Sequence, residues 1–148
     1  MGVKDFLNKI KKIDLLINVK LKEVSALRDR LTNVTANTEH ERVQTSMQGD
    51  KFADTIAKII ELEESIDADI DVLVEYKSRA RNLIEKLDDD ILKVILYKRY
   101  FQGCTFEEIA VEISYSWRWT CKLHGRALQK LNEIIKKEDI EVHIDTVV

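Results

Sequence analysis

Apolar residues recur every three or four positions along most of this chain, the period of helices buried on one side. Between Lys4 and Asn33 they fall at Phe6, Ile10, Ile13, Ile17, Leu21, Val24, Leu27 and Leu31. This stripe predicts an amphipathic helix of coiled-coil character, about 45 Å long at about 1.5 Å per residue. The pattern lapses from Thr35 to Asp50, where the chain turns polar and carries Gly49, so a loop or partly disordered tether is expected over residues 34–50. A second stripe runs through Phe52, Ile56, Ile59, Leu62, Ile66, Ile70, Leu73, Tyr76, Ala80, Leu83 and Leu87. Two such helices joined by a loop are expected to fold back as a long antiparallel helical hairpin over residues 1–87. A lone hairpin buries only a narrow seam. Self-association as a dimer or higher oligomer is therefore expected, with an intramolecular spacer closed by the neighbouring domain as the alternative.

Beyond Leu87 the pattern shortens into capped segments, giving a predicted domain over residues 88–137. The run Asp88-Asp89-Asp90 suits a helix start, where a carboxylate accepts from an exposed amide and complements the dipole. A third helix is expected from Ile91 to about Phe101, with Ile91, Leu92, Ile95, Leu96 and Tyr100 facing a core and Gln102-Gly103 ending it. Thr105-Phe106-Glu107-Glu108 is a capping box, opening a short helix that buries Phe106, Ile109, Ala110 and Ile113. After the turn at Ser114-Tyr115, Ser116 caps a last helix running to about Lys137. Thr120, Leu123, Ala127, Leu131 and Ile134 form its inward stripe, and Arg118, Lys122, Gly125, Arg126 and Gln129 its outward face. The tail, residues 138–148, alternates apolar and polar residues and suits a short strand or a disordered end.

Composition agrees with an all-α fold: proline is absent and there are only 4 glycines, too little punctuation for many β-turns. The formal net charge of −3 hides a segregation. Residues 93–137 carry nine Lys/Arg against four Glu, while residues 61–71 hold six acids and no base. One end is suited to approach phosphates and the middle to repel them. Cys104 and Cys121 form no disulfide framework, which fits a reduced, cytoplasmic setting. The first twelve residues contain four lysines and no long apolar run, so no secretory signal is expected, and no stretch suits a membrane span.

A short capped helix, a tight turn and a second capped helix are the ingredients of a helix-turn-helix, which enters the major groove of double-stranded DNA by the first turns of its second helix. The candidate DNA-binding residues are Ser116, Trp117, Arg118, Cys121, Lys122 and Arg126. Arg118 is placed to reach guanine edges or a phosphate; Lys122 and Arg126 are read as phosphate contacts. Trp119 is expected to pack against the third helix. Trp117 is left with two readings, covering the turn or facing DNA.

The string from Gly103 to Ser116, followed by Arg126-Ala127-Leu128-Gln129-Lys130-Leu131, resembles region 4 of sigma-70 transcription factors. Glu108-Ile109-Ala110 and the ten-residue step from Ser116 to Arg126 carry that resemblance. Val43-Gln44-Thr45-Ser46, Asp50-Lys51-Phe52-Ala53-Asp54, Tyr97-Lys98-Arg99-Tyr100 and Leu123-His124-Gly125-Arg126 extend it to a family of small sigma-70 region 4-like regulators of phages and prophages of Gram-positive bacteria. The resemblance implies a DNA-binding transcriptional regulator, with bacterial RNA polymerase as a further candidate partner. Two positions depart from the family pattern. Ser114 stands where sigma factors have a turn glycine and is unstrained there only if its φ is negative or the turn differs, and Thr120 stands where they favour valine. Nothing in these residues resembles sigma region 2, so a complete sigma factor is not expected. Two rival readings remain: a DNA-packaging protein resembling a small terminase subunit, and a polymerase- or protein-interaction module without DNA readout.

Catalytic chemistry is not expected. Cys121 and His124 lie one turn apart, but a structural zinc site needs four ligands and no fourth is placed. No phosphate-cradling glycine loop or nucleophile–base pair stands out, and no cofactor or metal is expected.

Overall fold

The computed structural model describes residues 2–37 and 45–145, with side chains of 34–37, 45–48 and 140–145 left aside. Every regular element among them is helical: α1 (Val3–Asn37), α2 (Thr45–Ile84), α3 (Asp90–Leu96), α4 (Phe106–Ile113) and α5 (Trp117–Asp145). The chain is all-α, and among the described residues no helix is long and apolar enough to cross a membrane.

Two boundaries differ from the sequence expectation. The polar stretch expected as a loop over residues 34–50 is helical up to Asn37 and again from Thr45, while its centre, residues 38–44, lies outside the described residues. Low apolarity removes the reason to bury a helix, not its intrinsic propensity. The tail, expected as a short strand or a disordered end, continues α5 to Asp145, and 146–148 lie outside the described residues. After Gly125 no glycine or proline interrupts this helix, so it propagates past Lys137.

The chain divides into two compact units, residues 13–73 and residues 1–12 with 74–148. In the first, α1 and α2 supply a single file of buried residues: Ile17, Val24 and Leu27 from one, Ile59, Ile66 and Leu73 from the other. Later residues of α1 meet earlier residues of α2. The Lys20 ammonium donates to Asp69 Oδ2 at 2.5 Å and to Ser65 Oγ at 2.7 Å, and Arg28 pairs with Glu63. The seam is narrower than the periodicity predicts, because Leu21, Phe52, Ile56 and Ile70 stay exposed.

The second unit has a deeper core. Val3, Leu7 and Ile10 from the start of α1 are buried, as are Ala80 and Ile84 at the end of α2, Leu87 just beyond it, and Leu92, Ile95 and Leu96 of α3. Phe6 stacks on Tyr76 with ring centroids 5.4 Å apart. Asp89 caps α3 as its carboxylate accepts from the Ile91 amide at 2.9 Å. α3 then widens into a π-helical turn, Tyr97–Phe101, in which the Gln102 amide reaches the Tyr97 carbonyl at 3.1 Å. The Tyr97 hydroxyl donates to Glu85 Oε1 at 2.6 Å; burial first, and that bond second, push its pKa up to about 12. α5 packs on both α3 and α4.

Candidate nucleic-acid interface

The site is built from local signals at the ends of α4 and α5. Gly103 takes a φ of +69°, which lets the chain leave the π-turn without the steric penalty a side chain would meet. Thr105 then caps α4, its Oγ accepting from the Glu108 amide at 3.2 Å. Ile109 and Ala110 are buried, and Phe106 and Ile113 are half-buried at the edge of the same face.

The turn is closed by a left-handed residue. Ser114 has φ +59° and ψ +38°, and the Tyr115 amide donates to the Ala110 carbonyl at 3.0 Å. Hydrogen-bonded helix ends of this kind ordinarily use glycine at the left-handed position. Ser114 therefore adopts the glycine conformation and holds the strain that a negative φ would have avoided. Ser116 follows as the cap of α5: its Oγ accepts from the Trp119 amide at 3.1 Å, and its carbonyl accepts from the Thr120 hydroxyl at 2.9 Å. That second bond explains Thr120. The side chain is fully buried at 0% exposure, its methyl packed as a valine's would be and its hydroxyl satisfied by its own helix.

Inside, Thr120, Leu123, Ala127 and Leu131 are buried as the spacing predicts, while Ile134 is half-buried. His124, absent from the expected inward stripe, joins them in the core at 8% exposure. It is hydrogen-bonded to the Tyr100 hydroxyl at 2.8 Å and lies edge-on to Phe106, centroids 4.9 Å apart. Burial, with smaller contributions from Arg99 and Lys4, pulls its pKa down to about 4, so the ring is neutral at pH 7. Arg99 completes the cluster, its guanidinium 4.3 Å from the Phe106 ring and donating to the Cys104 carbonyl at 3.1 Å. The sequence signal was present: His124 fills the step between Thr120 and Ala127 on the inward stripe.

Outside, the candidate residues separate. Arg118, Lys122 and Arg126 are exposed at four-residue intervals, on successive turns of one side of α5. Ser116 is exposed but spends its hydroxyl on the cap. Cys121 is half-buried, at the edge of this face, and both cysteines are free. Trp117 is 53% exposed. Trp119, expected to pack against the third helix, is 38% exposed, with the Arg126 guanidinium 4.9 Å from its ring.

Charge pairing sharpens the face further. Of the nine cations in residues 93–137, three form ion pairs or hydrogen bonds with neighbouring groups. Lys93 meets Glu85 and Asp90, Lys98 pairs with Glu112, and Arg99 serves the cluster above. Among the described residues Arg118, Lys122, Arg126 and Lys130 form no ion pair, so their charge is available to a partner. The cationic side of α5 is a surface able to neutralise anionic groups spaced along an extended ligand.

Neither a family model, nor a curated protein, nor a solved structure matches the chain.

Proposed function

We propose that this chain is a DNA-binding transcriptional regulator of the phage and prophage type, in which α4, the Ser114–Ser116 turn and α5 act as a sigma-70 region 4-like helix-turn-helix. The observation that carries this reading is the row Arg118, Lys122 and Arg126. It stands unpaired on one side of a helix whose start is set by the Ser116 cap and whose other side is core. Phosphates are the natural counterpart of such a row, and base edges come within reach of Arg118 at the helix start. In this reading α1 and α2 form an antiparallel, coiled-coil-like hairpin by which copies associate, so that two helix-turn-helix units can address one duplex.

The test is duplex binding at low salt by the full chain and by its Arg118→Ala/Lys122→Ala variant. The parent binds, and the variant, still helical by circular dichroism, loses most of its affinity. Equal binding by both places the DNA face elsewhere. A mass in solution corresponding to a ring of many subunits favours the packaging role over regulation.

A second reading has its own observation. Val111 is 80% exposed on α4 and Tyr115 is 41% exposed in the turn that follows it, large apolar side chains left to solvent. Such side chains suit a protein partner, and RNA polymerase is the partner the sigma-like reading implies. Polymerase capture that survives loss of DNA binding in the double variant supports this role.

A further inference from the structure

We infer that Trp117 reads the C5-methyl group of a thymine, making the α5 face selective for an A·T pair at one position; this rests on the DNA-binding reading above. Trp117 is the first residue of α5 and 53% of it is exposed. Among the described residues no ring or guanidinium packs on its indole, whereas Trp119 carries Arg126. Trp117 shares the first turn of α5 with the exposed Arg118, about 100° round the helix from it, and Lys122 follows one turn on from Arg118. These charges draw the start of α5 towards phosphates, and the indole is carried with them.

What the indole meets there is limited by the chemistry of the duplex. Base faces are stacked on one another, and the base edges in the major groove present nitrogen and oxygen donors and acceptors. The thymine C5-methyl is the apolar group displayed in that groove, and therefore the complement of a large apolar ring with a single N–H. Arginine and lysine at the same position would bind guanine or phosphate; tryptophan favours thymine. Burying one methyl group against the ring corresponds to about a fourfold gain in affinity.

The experiment selects a bound duplex from a pool of short randomised duplexes with the full chain, then remakes that duplex with deoxyuridine in place of thymidine. Uracil keeps the pairing and removes only the methyl groups. The parent is expected to bind the uracil duplex about fourfold more weakly. Trp117→Ala is expected to bind the thymine duplex more weakly and to lose the distinction, while Trp117→Phe keeps it. The variant comparison isolates this side chain from any effect of uracil on duplex shape. Equal affinity of the parent for both duplexes overturns the inference and leaves DNA binding standing, as does undiminished discrimination by Trp117→Ala. Failure of the parent to bind any duplex at low salt removes the DNA-binding reading and this inference together.

Discussion

Residues 13–73 and the α3–α5 region are both helical, yet they solve the problem of burial differently. Among the described residues of the 13–73 unit, six large apolar ones are buried: Ile17, Val24, Leu27, Ile59, Ile66 and Leu73. Nine others, Leu15, Leu16, Val19, Leu21, Phe52, Ile56, Ile60, Ile70 and Val72, are exposed. From α3 to α5 the balance reverses. Leu92, Ile95, Leu96, Tyr100, Ile109, Leu123 and Leu131 are buried, and the exposed apolar residues gather around the α4–α5 turn. Helix ends differ likewise: the side chains of Asp89, Thr105 and Ser116 each accept a capping bond from a backbone amide, and Gly103 and Ser114 provide left-handed exits. One region specifies its own fold through local chemistry and a closed core. The other has a seam and a large apolar remainder.

The largest effect expected from this contrast comes from truncation. Ile109→Ala removes a side chain at 0% exposure and should cost about 2–5 kcal/mol in denaturant unfolding. Ile70→Ala, at 41% exposure, should cost less than about 1 kcal/mol in a monomer. A larger, concentration-dependent loss at Ile70 would mean that another copy covers it.

Next is the pH response of the α3–α5 core. The folded pKa of His124 is held near 4, below the ordinary value of 6.5, so the unfolded chain binds a proton first as pH falls. The stability owed to the neutral ring is complete above about pH 6.5 and is lost as pH falls towards 4. Between about pH 7 and 5 the loss should approach 2 kcal/mol, and His124→Gln should flatten that part of the profile. An unchanged profile in the variant assigns the acid sensitivity to other groups.

Two substitutions should stabilise rather than break. Ser114→Gly relieves a left-handed serine and is expected to gain about 1 kcal/mol. Gly125→Ala acts in the middle of α5, where an added Cβ meets nothing within 4 Å, and should gain slightly less than about 1 kcal/mol. Thermal unfolding checks both. A loss at Ser114→Gly would mean that its hydroxyl has a role the backbone geometry does not reveal.

How far the sequence could be read depended on whether the deciding interactions were local. Thr105 with Glu108, Ser116 with the Trp119 amide, and Gly103 at the end of the π-turn all act within a few residues, so spacing alone located them. His124 required knowing that the π-turn presents Tyr100, 24 positions away, at hydrogen-bond distance. The boundary between the compact units was also illegible, because the stripe from Phe52 to Leu87 passes through residue 74 without a change of period. The exposure of the two indoles, 53% for Trp117 and 38% for Trp119, was not legible either, since helical spacing places both on the flanks between the inward stripe and the outward face. Among the candidate DNA contacts, the exposed side of α5 was legible for Arg118, Lys122 and Arg126; the half-burial of Cys121 was not.

The central proposal is that the cationic side of α5 neutralises DNA phosphates, and the salt dependence of duplex binding tests it most directly. Three phosphate contacts give a slope of log affinity against log salt of about −2.7, a roughly fortyfold loss between about 50 and 200 mM. Arg118→Ala/Lys122→Ala should flatten that slope by about 2 if both residues lie on phosphates, or by about 1 if Arg118 reads a base. A parent slope near zero, or a variant slope equal to the parent's, would contradict the proposal.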